Sequence, residues 1–478
     1  MHTITTDATT TPTADSGAHH PTPPVDTGAH QPTPTVDTKV GPVAAGRHWT
    51  GITDDDPWLV RARAISTCLA ERAVEHDRAG SFVQDGFDLL REHGLLAMLV
   101  PAELGGGGAS HAQTCATLAE LARGCPSTAL SFSMHSHLVA AQVWRHHRGL
   151  PAPVLRRVVD EQLVLISTGA SDWLDSSGTA TPVEGGFRIS ARKMPASGCP
   201  AGDVLVTSVR WDDAPDGPQV VHCSVPFADA GVEIIESWDT MGMRGTGSHT
   251  VVIEDVFVPT AAVALIRPAD VWHPVWSTVV GAALPLIMAC YVGVAEEAEA
   301  RVLRLVARRA DRPETAQLVG RMHNRLTGAQ DAVRSMIDAG EDLRFDNTVE
   351  AAAAALTRKS NAAEACIDTV RLALEIGGGP AYSRGPGIER LFRDVHGALY
   401  HPLPTAQQER LSGRLALALD PFGTPSHGAH RPNRCTSFAA SPGVRRMSAD
   451  TRRRVRDDSM PTVSTPDRVD PRSSAGGA

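Results

Sequence analysis

The stretch that decides the fold reads Asp239-Thr-Met-Gly-Met-Arg-Gly-Thr-Gly-Ser-His249 and continues as Thr250-Val-Val-Ile-Glu-Asp-Val-Phe-Val-Pro259. Its three glycines permit positive φ angles or close backbone approach, and the β-prone residues that follow predict a strand ending at Pro259. Arg244 and the neighbouring hydroxyl groups could hold an anionic, hydrogen-bonding ligand. For a Gly-rich turn in general, a plain hairpin connection is the commoner interpretation.

The composition is that of a large globular protein. The chain has 478 residues, of which 42% are hydrophobic and 21% charged, so several domains are expected. Its net charge of −9 gives no reason to expect a nucleic-acid partner. The eight cysteines include no C-x-x-C pair, which favours free thiols in a reducing cytoplasm.

Two further features concern membranes and secretion. The N-terminus has neither a basic nor an apolar signal region, so no signal peptide is expected. The longest apolar run, Val279 to Val294, is shorter than the ~20 residues that a membrane span needs, and Pro285 interrupts it. The run therefore predicts a buried helix, and no membrane association is expected.

Changes in composition divide the chain into five parts. Residues 1–50 are rich in Thr, Pro and His, contain a near-repeat and predict a disordered tail. Residues 51–160 show helical periodicity. Short β-branched segments between turn residues in 161–268 predict an antiparallel barrel or sandwich. Amphipathic helices in 269–424 predict a four-helix bundle. Residues 425–478 predict a second disordered tail, with a basic interaction tail as the alternative. The fold class is α+β.

Within this frame, periodicity predicts individual elements. The expected strands are Leu163–Ser167, Phe187–Ser190, Val204–Val209 and Val220–Val225. The expected long helices of the C-terminal part are Val279–Arg309, Glu314–Leu343, Val349–Ile376 and Pro386–Tyr400.

The Gly-rich stretch resembles the end of the β-domain in the acyl-CoA dehydrogenase superfamily of flavoenzymes, where G-x-R-G-T-G-S leads into V-F-V-P. The order of helices, β-domain and helices is also similar. This resemblance implies that a flavin lies between the β-domain and the C-terminal bundle, as FAD, with FMN also possible. It also implies a homotetramer or homodimer whose subunit interface is formed by the bundle.

Two segments of the β-domain resemble the family's flavin loops. Thr168-Gly-Ala-Ser171-Asp172 is similar to T-E-P-x-x-G-S-D, although it is shorter and lacks Glu-Pro. Lys193-Met-Pro-Ala-Ser197-Gly198 is similar to G-x-K-x-[WF]-x-[ST]-[GN], in which the hydroxyl residue lies beside flavin N5. The resemblance thus implies cofactor contacts for Thr168, Ser171 and Ser197. Pro195 stands where the family has an aromatic residue, which alters the expected packing on the ring.

Two C-terminal segments resemble the family's elements that reach the cofactor across a subunit boundary. Glu375-Ile-Gly377-Gly378-Gly-Pro380 is similar to x-x-x-G-G-x-G, and Glu389-Arg-Leu-Phe-Arg393-Asp394 is similar to E-R-x-x-R-D. The resemblance therefore implies cofactor roles for Gly377, Gly378 and Arg393, beside Arg244 of the Gly-rich stretch. A simple helix stop is the alternative for the glycines.

The catalytic glutamate of the family's dehydrogenases is missing. It lies in Y-E-G-T shortly after the Arg-Asp pair, where this chain reads Arg393-Asp-Val-His-Gly-Ala-Leu-Tyr-His401-Pro. The second position from which relatives take their base, within Pro274 to Cys290, contains no Asp or Glu. His401 occupies a position that also carries a histidine in the superfamily's flavin-dependent monooxygenases. An imidazole can act there as base or donor, so His401 is the candidate catalytic residue; a capping role before Pro402 is the alternative.

Three functional hypotheses follow. The first is a flavin-dependent monooxygenase acting on a small molecule, supplied with reduced flavin by a partner reductase. The second is an acyl-CoA dehydrogenase with a relocated base, which oxidises an acyl thioester and passes electrons to an electron-transfer flavoprotein. The third is a non-catalytic scaffold with a flavoenzyme fold. His135 and His137 are secondary candidates for the same cavity, with a core or solvated role as the alternative.

Overall fold

The computed structural model describes residues 46–168, residues 176–421 and the backbone of residues 446–447. The helices of this part of the chain are α1 (Pro57–Ala79), α2 (Gln84–Glu92), α3 (His111–Gly124), α4 (Pro126–His147), α5 (Val154–Asp160), α6 (Pro274–Val306), α7 (Pro313–Ala339), α8 (Val349–Gly377), α9 (Gly379–Tyr382), α10 (Ile388–Val395) and α11 (Thr405–Ala416). The strands are β1 (Leu165–Ser167), β2 (Thr179–Val183), β3 (Gly186–Ala196), β4 (Val204–Trp211), β5 (Gln219–Pro226), β6 (Val232–Ile235), β7 (His249–Pro259), β8 (Val263–Pro268) and β9 (Arg446–Met447).

The helix ends follow from local sequence signals. The Asp56 carboxylate accepts a hydrogen bond of 2.9 Å from the Trp58 backbone amide and so caps α1, which ends at Gly80 in the left-handed conformation. Ser110 and Gln113 form a reciprocal capping box at the start of α3. Pro126 opens α4, where its missing N–H costs no helical hydrogen bond.

The strands form one sheet in the order β8-β5-β4-β2-β3-β7-β6-β9, with β1 on a branch beside β4. The ladders β3–β7, β4–β5, β5–β8 and β6–β7 are antiparallel, as predicted. Strands β1 and β2, however, run parallel to β4, so the sheet is mixed. A parallel pair needs a crossover connection, and the connection between β1 and β4 includes β2 and β3.

The Gly-rich stretch is a turn that feeds a strand, as predicted. A single 3₁₀ turn at Arg244–Thr246 leads into β7. Gly247 has a φ of 56°, and a Cβ atom at Gly242 would overlap the backbone of Arg393. These two glycines are needed for a left-handed conformation and for close approach to the C-terminal helices, respectively.

Helix α6 is the centre of the core. By length and composition Pro274–Arg309 could cross a membrane, but 89% of its most apolar window is buried inside the protein. The buried helix predicted from Val279 to Val294 is therefore confirmed. A Cβ atom at Gly293 would overlap the carbonyl oxygen of Ala119, so α6 lies directly on α3. The N-terminal and C-terminal helices consequently share one hydrophobic core.

The elements follow the predicted order of helices, strands and helices, while the exact domain boundaries remain predictions. Residues 1–45 and most of 425–478 lie outside the described residues. Within the second tail, Arg446 and Met447 pair with β6 as an edge strand. Seven cysteines lie in the described part of the chain, and all seven are free thiols.

Candidate active site

Helix α4 links the two halves of the candidate site. Ser131 and His135, four residues apart, hydrogen-bond to the β-domain: the Ser131 hydroxyl donates to the Thr246 carbonyl (3.0 Å) and the Leu165 amide donates to His135 Nδ1 (3.1 Å). Ser133 and His137, also four residues apart, are joined by a hydrogen bond of 3.2 Å between His137 Nδ1 and the Ser133 carbonyl. Residues four apart share a helix face, so α4 presents two polar faces.

A chain of hydroxyl groups lies on the β-domain side. Ser197 Oγ is 2.8 Å from Ser248 Oγ, and Ser248 Oγ is 2.7 Å from Thr246 Oγ1. The carbonyl of Thr246 accepts from the amide of Gly198 (2.9 Å). Ser197, the residue predicted to lie beside flavin N5, is thus held at the end of an ordered hydroxyl relay. Thr246 and Ser248 are the hydroxyl residues beside Arg244 that the Gly-rich stretch offers for ligand binding, and their link to Ser197 is not evident from the sequence.

The end of β1 lies close to this relay. A Cβ atom at Gly198 would lie 3.4 Å from the Ile166 side chain, in ordinary contact. Thr168, two residues further along, has its hydroxyl 2.7 Å from that of Thr207 on β4. Thr168 and Ser197, both predicted flavin contacts, are therefore presented by neighbouring segments. Ser171, the third predicted residue of this group, lies outside the described residues.

His401 lies on the other side of α4, between α6 and α8. Its Nε2 is 2.7 Å from the hydroxyl of Tyr291, a fully buried residue of α6. Burial raises the pKa of the Tyr291 phenol well above its usual value, so the phenol keeps its proton. The buried O–H proton needs an acceptor, and Nε2 of His401 is the one acceptor that the described chain offers it, so Tyr291 donates to Nε2. The neutral ring of His401 then carries its proton on Nδ1.

A buried lysine fixes the backbone of His401. The ammonium group of Lys359 on α8 donates to the carbonyls of His401 (2.9 Å) and Leu403 (3.4 Å). Only 1% of Lys359 is exposed, and burial lowers its pKa to about 8. Burial, followed by the charges of Lys359 and His137, lowers the pKa of His401 to about 3. The ring is therefore a neutral hydrogen-bond donor at physiological pH and a weaker base than the sequence suggested.

His135 and His137 have different roles. Both ring nitrogens of His135 bond to backbone atoms, since Nε2 lies 2.8 Å from the Leu96 carbonyl. His135 is therefore a structural core residue. His137 is also buried, and burial lowers its pKa to about 4. A carbonyl oxygen can only accept, so His137 donates from Nδ1 to Ser133, and its Nε2 is a free acceptor in the described part of the protein.

Arg244 and Arg393 are brought together, but around a carboxylate. The guanidinium of Arg393 makes two hydrogen bonds, of 2.8 and 2.6 Å, to the carboxylate of Asp77, and a third of 2.8 Å to Glu389. Arg244 donates to the backbone carbonyl of Asp77 (2.8 Å) and to the carboxylate of Asp239 (3.0 Å). Both predicted cofactor contacts are thus engaged in joining α1, α10 and the Gly-rich turn.

Gly377 and Gly378 end helix α8. Gly378 has a φ of 63° and donates its amide to the Leu374 carbonyl (2.9 Å), which is the geometry of a helix stop. Arg309 donates to the carbonyls of Ile376 (2.6 Å) and Gly377 (3.3 Å). A guanidinium therefore lies beside the two glycines for which the resemblance implies a cofactor role across a subunit boundary.

The residues present fit a flavin. The polar edge of its ring alternates donors and acceptors, and the hydroxyl groups of Thr168 and Ser197 can each do both. The described residues contain no cluster of three or more His, Cys, Asp or Glu suited to a metal ion. The segments from 274 to 290 and from 395 to 405 contribute no carboxylate beside His401.

Comparisons with known proteins agree with this geometry. Residues 60–147 match the model of the acyl-CoA dehydrogenase N-terminal domain, and residues 277–403 match that of a C-terminal domain of the same family. The chain is 28% identical to L-evernosamine nitrososynthase of a Micromonospora species over 381 residues, which are 74% of this chain and 88% of that protein. It is also 28% identical to isobutylamine N-hydroxylase of Streptomyces viridifaciens, over 69% of this chain and 87% of that one.

Among solved structures, KijD3 in complex with FMN and a dTDP-linked amino-keto sugar is similar with a TM-score of 0.69 and 27% identity. The match covers 76% of this chain and 93% of KijD3. The matched family models, the similar proteins and the helix–sheet–helix architecture lead to one conclusion: the chain belongs to the acyl-CoA dehydrogenase superfamily of flavin-dependent oxidoreductases.

Proposed function

We propose that this protein is a flavin-dependent monooxygenase that oxygenates the nitrogen of a small amine. The observation that carries the proposal is the state of His401, a neutral imidazole held by Tyr291 where the dehydrogenases have a carboxylate. Abstraction of a proton next to a thioester carbonyl needs a base that gains the proton. A histidine whose pKa is about 3 is unsuited to that role.

The two histidines are complementary. His401 offers a donor at Nδ1, and His137 offers an acceptor at Nε2, because their other nitrogens are fixed by Tyr291 and Ser133. An amine substrate presents N–H groups and a lone pair, so His137 can accept from the amine while His401 donates to an oxygen atom. Both rings stay neutral at physiological pH, so neither places a positive charge beside a bound amine.

When bound, the reduced flavin supplies two electrons and activates dioxygen. One oxygen atom enters an N–H bond to give a hydroxylamine, and the other leaves as water with the two electrons and two protons of the reduced flavin. Thr168 and Ser197 would orient the flavin's polar edge, and the burial of Tyr291 and His137 excludes water from the histidine side.

The proposal extends to the flavin, the substrate class, the partner protein, the oligomeric state and the location. FMN is favoured over FAD because KijD3 has been solved with FMN, while FAD remains the alternative implied by the family. An amine substrate is favoured because two of the similar proteins are an N-hydroxylase and a nitrososynthase. A separate flavin reductase as partner, a homotetramer or homodimer and a cytoplasmic location complete the proposal. The seven free cysteines support a reducing compartment.

The test is a single-turnover experiment. The protein is mixed anaerobically with chemically reduced FMN or FAD, and then with ¹⁸O-labelled dioxygen and a panel of primary amines and amino sugars. Flavin oxidation is followed by stopped-flow absorbance, and products are analysed by mass spectrometry. We expect one ¹⁸O atom per hydroxylamine product and an increased product yield per flavin oxidised when the protein is present.

The controls separate this proposal from its competitors. His401→Asn should bind flavin but lose product, whereas His323→Asn, an exposed residue paired with Glu299, should behave as the unaltered protein. Anaerobic bleaching of bound FAD by an acyl-CoA thioester alone would instead establish the dehydrogenase. Flavin binding without turnover by either route would establish the non-catalytic scaffold.

A further inference from the structure

A polar cavity is lined by several arginines. It has a volume of about 380 Å³ and lies where the end of α1, the Gly-rich turn and α10 meet. Its lining includes Arg244 and Arg393, for which the resemblance implies cofactor contacts, but not Thr168, Ser197 or His401. Five arginines line it: Arg78, Arg244, Arg384, Arg390 and Arg393. Asp77 and Glu389 are the carboxylates of the lining, and Asp239 pairs with Arg244 from outside it, so the five arginines keep two positive charges in excess.

Two of these arginines are held in fixed positions. Asp77 and Glu389 orient the guanidinium of Arg393 through bonds of 2.6 to 2.8 Å. Arg244 is fixed by the backbone carbonyls of Asp77 and Thr240, each at 2.8 Å. The ordering of these side chains is thus established without a ligand, which lowers the entropic cost of binding one.

Arg390 is the residue that indicates most directly that the cavity binds an anion. It is only 4% exposed, and its Nε is buried without a hydrogen-bond partner. Asp394 interacts with it electrostatically, but Arg390 forms no ion pair within the described structure. A buried guanidinium without a partner is costly, and an anion in the cavity would compensate that cost.

The two remaining arginines of the lining, Arg78 and Arg384, lie at the protein surface. Arg78 and Arg384 are both exposed, and neither makes a side-chain hydrogen bond to another described residue. Their guanidinium groups are therefore available to a ligand. The site combines one buried guanidinium, two that are held by hydrogen bonds and two that are exposed.

We propose that this cavity binds the phosphate group of a phosphorylated small molecule. Guanidinium groups match phosphate oxygens in a bidentate manner, and an excess of two positive charges suits a phosphate dianion better than a single carboxylate. The volume lies within the range of small-molecule sites. The phosphate belongs either to a free metabolite or to the flavin itself, and the same experiment distinguishes these sources.

The test measures phosphate binding to the full-length, flavin-free protein. Inorganic phosphate and pyrophosphate are titrated by isothermal calorimetry and by thermal unfolding, with chloride at matched ionic strength as the reference salt. We expect saturable binding and a rise in melting temperature that increases with ligand concentration. Arg384→Gln should weaken binding about tenfold, as expected for one lost charge-assisted contact. Arg156→Gln, an exposed arginine of α5 outside the cavity, is the matched control.

Arg390→Gln should abolish saturable binding while raising stability in phosphate-free buffer, because it removes an unpaired buried charge. If this variant does not fold, the double variant Arg78→Gln/Arg384→Gln serves instead. Competition then identifies the source: displacement of phosphate by FMN but not by riboflavin assigns the flavin's phosphate, and simultaneous binding assigns a separate metabolite. Non-saturable binding, or binding unchanged in the cavity variants, would overturn the proposal without affecting the monooxygenase assignment.

Discussion

The hydroxyl of Tyr291 lies 2.7 Å from Nε2 of His401, and this hydrogen bond determines which nitrogen of the histidine carries the proton. The two residues are 110 positions apart in the sequence, and their rings meet edge to face with centroids 5.5 Å apart. Tyr291 is therefore a positioning residue for the proposed catalytic histidine.

Removing the Tyr291 hydroxyl should release this constraint. Tyr291→Phe leaves Nε2 of His401 without its donor, so we expect the free energy of unfolding to fall by about 1–3 kcal/mol. The rate of product formation should fall while flavin affinity is unchanged. Urea denaturation and the single-turnover assay measure the two effects. Tyr382→Phe, at a residue that is 83% exposed, is the control. An unchanged rate would show that Tyr291 serves packing alone.

Replacing Lys359 should alter the ionisation of His401. Lys359→Met removes a positive charge that lowers the pKa of His401 and also leaves two carbonyls without their donor. We expect a higher pKa for His401, visible in the pH titration of its NMR signals, together with lower stability. Arg325→Met, at an exposed ion pair with Asp368, should change neither quantity. An unshifted His401 titration would contradict the electrostatic role of Lys359.

Stability should fall as the medium becomes acidic. Burial lowers the pKa to about 4 for His48, His111, His135, His137 and His249, and to about 3 for His222 and His401. Unfolded histidine takes up a proton near pH ~6.5, so the unfolded state binds more protons between that pH and the folded pKa values. These histidines thus contribute stability that is complete above pH ~6.5 and is lost as the pH falls towards 4.

Two buried carboxyl groups act in the opposite direction. Burial raises the pKa of Asp394 to about 6 and that of Glu296 to about 7, so the folded protein binds these protons more tightly than the unfolded chain does. Their contribution to the free energy of unfolding is therefore lost as the pH rises through those values. Because seven histidines oppose two acids, we expect the urea midpoint to decrease steadily from pH 7 to pH 4.5. A midpoint that is constant or rises over this range would contradict the burial of the histidines.

The Asp77–Arg393 ion pair should contribute more than the Asp239–Arg244 pair. In the first pair the side chains are 14% and 23% exposed, whereas Asp239 is 92% exposed. Asp77→Asn leaves a partly buried guanidinium with a poorer partner and should cost about 3 kcal/mol of unfolding free energy. Asp239→Asn, the matched control, should have little effect because solvent screens that pair. If both variants lost the same free energy of unfolding, burial would not make the Asp77–Arg393 pair stronger than the Asp239–Arg244 pair.

The sequence was most informative where the signal is local. The helix predicted at Val349–Ile376 is observed as Val349–Gly377, because apolar periodicity and the following glycines mark both its face and its end. Helix α6 begins at Pro274, five residues before its predicted start, because a proline at the first position and a cap by His273 extend it. The strand Thr179–Val183 was not predicted, since four of its five residues are exposed and lack an apolar alternation.

The site was only partly accessible from the sequence, since its contacts are long-range. His401 was identified by its position after Arg393-Asp394, but nothing local marks Tyr291 within an apolar helix or Lys359 within an alanine-rich one. The cofactor contact implied for Arg393 by resemblance stays a prediction, and its ion pair with Asp77, 316 positions away, could not be predicted from the sequence. Such a pairing depends on the packing of α1 against α10, which periodicity does not specify.

The contact between Gly293 and Ala119 limits how this enzyme can be divided. Because α6 packs on the backbone of α3, the N-terminal and C-terminal helices bury their apolar side chains in one shared core. We expect that neither end can be exchanged with that of a relative as an independent module. New substrate preferences would then arise by changes in side chains and loops around a constant frame.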